Sequence, residues 1–385
     1  MIKLKETFRR KDETSEFLLK EAFLFNNKIA PYIIFDTCYW IYGESQDNIP
    51  EGFFGDDPDV MLQYNLKKII RHYETYSDDC HIGFLMPWFG TGVLASAFGT
   101  QVRFVEGGEP TVEMSSIKNV EEMDGLVLPD CEKDGLMPRV LKQIKYFKEN
   151  CDLQIGITDC QGPLDSALSI IGYENFIYWA VDYPDRFHAF MDKVTTALID
   201  WIRVQKKYIG DPDTGPAFIC GQKIPEGFGG IWFAEDDGGI FSPSVYAEFI
   251  KPYNERVLTA FGGGGIHYCG NSNQNLDNYA NTKGLTCLHN VHMDDFDTVV
   301  IAAKKMQNAG KAFFIVDVAP TEDRLSGYYD ELFKRVDQRG LIVVSFLQTM
   351  TALCDKKYEV RQRDPIKIGK AIEDLIVQKR KLYSY

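Results

Sequence analysis

His267 and Cys269 stand two residues apart in His267-Tyr268-Cys269-Gly270-Asn271, which the glycine run 262–265 leads into through Ile266. On a strand, residues i and i+2 share a face, so an imidazole and a thiol would converge on one point. Both are good zinc ligands. Two ligands do not make a site, and further donors have to come from elsewhere in the chain. Glu235-Asp236-Asp237 follows an apolar stretch. Three successive acids repel one another unless a cation or a polar ligand compensates. One of them then acts as an acid or base, or completes a metal shell. Ser242-Pro243 shortly afterwards leaves open an acidic helix-capping loop instead. Gln161-Gly162-Pro163 reads first as a rigid turn. Trp88-Phe89 and Tyr39-Trp40 supply aromatic surface, either for a planar ligand or for the core.

These residues need elements to hold them. Short apolar runs predict eight strands: Tyr32–Asp36, Ile82–Met86, Leu153–Thr158, Ile231–Glu235, Gly265–Cys269, Leu285–His289, Ala312–Asp317 and Leu341–Phe346. Most are too apolar for a half-exposed strand, which suits a parallel sheet covered on both faces. Helical periodicity lies between several of them. Pro184–Tyr208 carries apolar residues at a spacing close to 3.6. Ser242–Phe261 begins with an N-cap serine and a proline at the first helical position. Thr321–Gln338 and Asp364–Leu382 are also helical in pattern.

Alternating strands and helices predict an α/β fold, and eight strands predict a closed (β/α)8 barrel, with an open doubly wound sheet as the alternative. The glycine run precedes a strand rather than opening a helix, so it is not a dinucleotide fingerprint. Segments 101–105 and 111–114 predict a small hairpin outside the barrel. Residues 1–30 read as a helical extension and 31–385 as the barrel, one domain in all. In such a barrel the chemistry sits at the C-terminal strand ends. Those ends here carry Asp36, Trp88, Asp159, Gln161, Glu235 to Asp237, His267, Cys269, Cys287, His289, His292, Asp317, Ser345 and Gln348.

The chain has 385 residues, 45% of them hydrophobic, enough for a large core. Lys plus Arg is 42 and Asp plus Glu is 56, a formal charge of −14. That balance argues against nucleic acid and against docking on anionic membranes. Nine scattered cysteines form no CxxC pair. A reducing cytoplasm is therefore expected rather than a disulfide framework. No secretory leader is visible, and no run approaches about 18 apolar residues, so no membrane span is expected.

Read in order, the motifs resemble the uroporphyrinogen decarboxylase superfamily. They are 161–168 (Gln-Gly-Pro-Leu-Asp-Ser-Ala-Leu) followed by Tyr183-Pro184-Asp185, and 237–243 followed by Phe249-Ile250-Lys251-Pro252-Tyr253. His267-Tyr268-Cys269-Gly270-Asn271 resembles the His-x-Cys-Gly-Asn segment of its corrinoid-linked methyltransferases. The resemblance implies a (β/α)8 barrel, zinc, a corrinoid carried by a partner protein, and a small methyl donor or acceptor. It implies His267 and Cys269 as metal ligands. Glu235 and Asp237 are then the candidate acid–base residues, and Trp88, Gln161, Asn271 and Gln348 the candidate substrate contacts.

The superfamily's other chemistry is decarboxylation of a tetrapyrrole, which needs neither metal nor cofactor. Its arginine-rich Arg-x-Ala-Gly-Arg clamp is missing from segment 36–43, which contains no arginine. A polyanionic substrate would be poorly held without it. A non-catalytic barrel binding a corrinoid or porphyrin is the third reading. The methyltransferases' third zinc ligand, a cysteine at the end of the last strand, is also missing; that place falls near Ser345. Cys287, Glu235 and Asp237 are the substitutes the sequence offers.

Overall fold

Valine, isoleucine and phenylalanine crowd the predicted strands, and in the computed structural model those strands become a parallel sheet buried on both faces. The structure describes residues 2–26, 32–36, 49–76, 82–105, 108–113, 117–219, 222–291, 296–318, 324–346, 352–354, 357–359 and 364–383. All eight predicted strands are present: β1 (Tyr32–Asp36), β2 (Phe84–Leu85), β3 (Gln154–Ile155), β4 (Ile231–Ala234), β5 (Gly264–Cys269), β6 (Leu285–Val291), β7 (Ala312–Val318) and β8 (Leu341–Phe346).

Six of them form one sheet in the order β1-β8-β7-β6-β5-β4, every pair parallel. β2 and β3 make a second parallel pair. A parallel bridge from Gln161 to Ala234 ties the chain leaving β3 to β4. Neighbours in space are thus neighbours in sequence, and β1 meets β8 from the far end of the chain. No ladder joins β1 to β2 among the described residues.

Helices connect the strands and cover the outer face. Pro184–Ile209 follows the periodicity seen in the sequence, with Phe187, Phe190, Met191, Val194, Leu198 and Trp201 buried. The stretch 242–261 is two helices, Pro243–Phe249 and Lys251–Ala260, rather than one. Pro252 has no N–H to continue the ladder, and the chain breaks at Ile250 just before it. The expected N-cap holds, with Ser242 Oγ accepting from Val245 N at 3.4 Å. The hairpin outside the sheet is present as Val102–Arg103 against Thr111–Val112.

The N-terminal extension is a helix, Glu6–Phe23, but it is no decoration. Phe8 stacks on Tyr73 at 4.6 Å between ring centroids. Phe23 reaches Phe228 and Phe314, the latter on β7. Asp12 accepts hydrogen bonds from the Tyr73 hydroxyl and from Gly83 N. Burial, only partly offset by those bonds, pushes the Asp12 carboxyl up to about 6.

Candidate metal centre

Two glycines place His267. Gly262 and Gly263 have φ of +71° and +113°, the left-handed conformations that turn the preceding helix into β5. Gly265 serves a different purpose. A Cβ there would lie 2.4 Å from the Trp232 ring and 2.8 Å from Cys287 Sγ. Trp232 therefore fills the space that Gly265 leaves. Above it, His267 pairs in register with Ala234 on β4 and His289 on β6.

His267 and Cys269 do share a face, with Cys269 Sγ 3.5 Å from His267 Nε2. Asp236 joins them: its Oδ1 lies 3.3 Å from the same Nε2 and accepts from Cys269 N at 2.9 Å. One nitrogen, one sulfur and one carboxylate oxygen here lie within 4.8 Å of one another. His267 is buried, whereas Cys269 is exposed and Asp236 leaves 41% of its side chain open. The cluster therefore has a dry back and an open front. Three protein ligands with one open side is the donor set of a catalytic zinc site.

The turn carrying Asp236 is held from behind. Asp236–Ile240 is a short 3₁₀ helix directly after β4. Asp165, near the start of the helix Pro163–Ile171, accepts from Asp236 N at 2.7 Å and from Asp237 N at 3.4 Å. Burial raises the Asp165 carboxyl well above its ordinary value, and repulsion from Asp236, Asp237 and Glu235 adds to it.

Charge is shared between ring and carboxylate. Desolvation opposes ionisation of both. For His267 the attraction of Asp236 and the bonds to Asp236 and Cys269 win, so its pKa rises well above the ordinary value. Asp236 is held below the usual carboxylate range by the same partner and the Cys269 N–H. His289 goes the other way, since burial and the neighbouring His267 both disfavour its cation.

The other expected residues divide. Glu235, expected as acid–base residue or ligand, faces away from His267. It sits fully buried in a cage where Tyr246, Tyr279 and Asn254 donate to its carboxylate. Burial pushes it up to about 7 against those three donors. Asp237 accepts from the Tyr173 hydroxyl at 2.7 Å and lies outside the ligand cluster. Cys287 is buried two residues below His289, beside Trp232 rather than at the mouth. Ser345 pairs with Asp317 and donates or accepts with Tyr329 Oη at 2.7 Å, on the helix side of the sheet. A ligand at that position would not face His267.

Among the expected substrate contacts, Gln161 is buried and its Nε2 lies 3.3 Å from Asp159 Oδ2. Trp88 is buried beside Glu109. Burial and the repulsion of Asp159 push Glu109 up to about 7. Asp159 itself rises to about 6, from burial and the charge of Asp236. Asn271 is exposed and turns its Oδ1 back onto Asn273 N at 2.9 Å. Gln348, His292, Tyr39 and Trp40 lie outside the described residues.

A family model for uroporphyrinogen decarboxylase matches residues 71–211. Over that segment the chain is similar to the uroporphyrinogen decarboxylase superfamily. A methylated-thiol–coenzyme M methyltransferase of Methanosarcina mazei is 25% identical over 231 residues, 58% of this chain and 54% of that protein. A uroporphyrinogen decarboxylase of Desulfotalea psychrophila is 23% identical over 175 residues, 44% of this chain and 45% of that protein. The chain thus spans about half the length of the curated relatives it matches. A solved methyltransferase from Methanosarcina mazei superposes with a TM-score of 0.64 over 95% of this chain and 98% of the other, at 17% identity. That likeness shows a shared fold. No helix among the described residues is long and apolar enough to cross a membrane.

Proposed function

We propose that this protein is a zinc-dependent methyltransferase that moves a methyl group between a corrinoid protein and a small donor or acceptor. The observation that carries the reading is the convergence of Asp236, His267 and Cys269 at the open end of the strands. The superposition on a solved methyltransferase supports the related proposal that the eight strands close into a (β/α)8 barrel with β1 beside β2. Free thiols at Cys131, Cys151, Cys160, Cys269 and Cys287 suit a reducing cytoplasm.

When bound, zinc would bind a thiol substrate and lower its pKa, so that a nucleophile exists at neutral pH. The protein supplies the rest. His267 Nε2, Cys269 Sγ and Asp236 Oδ1 would hold the ion. Asp165 keeps the Asp236 turn in place through two backbone N–H groups. Trp88 and Gln161 would line the mouth beside Glu109 and Asp159, whose carboxyls burial raises to about 7 and about 6, within reach of proton transfer near neutrality.

The test is demethylation of methylcobalamin followed optically, against a panel of thiol and folate acceptors, with and without chelator. Turnover that chelation abolishes and zinc restores is the expected result; a protein purified gently and free of metal would sink the reading. The decarboxylase match keeps a second reading alive. Its mark would be activity on uroporphyrinogen that survives chelation. The carboxylates Glu109, Asp159, Asp236 and Asp237 around the mouth speak against so polyanionic a substrate.

A further inference from the structure

His267 is gripped from inside the sheet as well as at the mouth. Its Nδ1 lies 2.7 Å from Nδ1 of His289. The other nitrogen of His289, Nε2, lies 2.8 Å from Gln222 Oε1. All three side chains are buried. The contact is built in by register, since His267 and His289 are partners across β5 and β6. Trp232 and Phe314 pack on the His289 ring and fix its plane. Gln222 arrives on a short antiparallel hairpin, Ala217–Ile219 against Gln222–Ile224, that interrupts the alternation of strands and helices.

Proton counting along this line has one outcome for neutral rings. An amide oxygen only accepts, so His289 Nε2 carries the hydrogen and donates to Gln222. His289 Nδ1 is then bare and accepts. His267 must therefore donate from Nδ1, which leaves its Nε2 bare. That is the nitrogen facing Cys269 Sγ and Asp236 Oδ1. A bare nitrogen is what a metal needs from histidine, and ligating histidines are commonly oriented by an acceptor behind the other nitrogen.

We propose that His289, backed by Gln222, is a positioning residue that holds His267 in the tautomer and orientation of a metal ligand. This inference rests on the reading of Asp236, His267 and Cys269 as a metal site. It assigns a purpose to the hairpin that carries Gln222.

The experiment measures zinc affinity of the full chain by competition with a chromophoric chelator, and the absorption spectrum of the cobalt(II)-substituted protein. His289→Leu removes the acceptor; His289→Gln restores one through its amide oxygen; Gln222→Leu acts at one remove. Loss of an outer partner commonly costs 10–100-fold in metal affinity. The expected result is a loss of roughly that size in His289→Leu with shifted cobalt bands, substantial recovery in His289→Gln, and a smaller loss in Gln222→Leu. Far-ultraviolet circular dichroism checks each fold, and if His289→Leu does not fold, the other two variants decide. Wild-type affinity and an unchanged spectrum in His289→Leu would overturn the proposal while leaving the metal site standing. Equal loss in the Leu and Gln variants would also overturn it, because packing alone would then explain the effect. Zinc binding that is absent in the wild type, or unchanged in His267→Ala, would overturn the metal reading and this proposal with it.

Discussion

Three neighbouring acids after β4 have three different fates. Asp236 turns to His267, Glu235 turns to the helices behind the sheet, and Asp237 turns to Tyr173. The period of two along a strand explains the split. Trp232 and Ala234 face His289 and His267, so the next residue on that face is Asp236. Zinc content should follow this geometry. By elemental analysis, Asp236→Ala and Cys269→Ala are expected to lose the ion, and Glu235→Gln to keep about one per chain. Retention of full zinc by Asp236→Ala would remove Asp236 from the shell.

Glu235 should matter for stability instead. Its pKa is raised from about 4.5 to about 7 by folding, so its contribution is complete below about 4.5 and is lost as pH climbs through about 7. The shift corresponds to something on the order of 3 kcal/mol at alkaline pH. Urea midpoints at pH 5 and pH 8.5 are expected to show the wild type losing more stability than Glu235→Gln by about that amount. Parallel curves for the two proteins would contradict it.

At the scale of elements, β5 shows what a glycine run is for. Gly262 and Gly263 make the turn, while Gly265 yields its side-chain volume to Trp232. Gly265→Ala therefore overpacks the interior and is expected to cost about 1–3 kcal/mol in denaturant unfolding. An unchanged midpoint would mean that Trp232 can move aside freely. The strands themselves were legible, because continuous apolar runs are what a doubly covered parallel sheet requires. The His-x-Cys pair was legible for the same reason. Asp236 was within reach of the alternation rule but was passed over for its two neighbours. Gln222 was not legible at all. Its hairpin carries no chemical motif, and its role appears only when β6 is set beside β5. Ser345 misled because a position in a strand says nothing of its face until the register is known.

For the whole molecule, the N-terminal helix belongs to the packed core rather than to the surface. Phe23 is 4% exposed and packs on Phe314, whose ring also touches Trp232 and His289. Phe23→Ala is expected to cost roughly 3 kcal/mol, read from urea unfolding of the full chain. A change below about 0.5 kcal/mol, the range typical of surface substitutions, would return the helix to the status of an appendage.

The pairing of β1 with β8 has a consequence for how this molecule is made. Tyr32 is in register with Ile342, about three hundred residues further along the chain. At a ribosomal pace of about 5–20 residues per second, β1 waits on the order of 15–60 s for its partner to be synthesised. During that time the edge of Tyr32-Ile33-Ile34-Phe35 that meets β8 stays unpaired, the kind of apolar edge on which nascent chains aggregate. Ribosome-stalled chains ending before β8 should thus remain bound to chaperones and sensitive to protease, whereas chains stalled well beyond it should not.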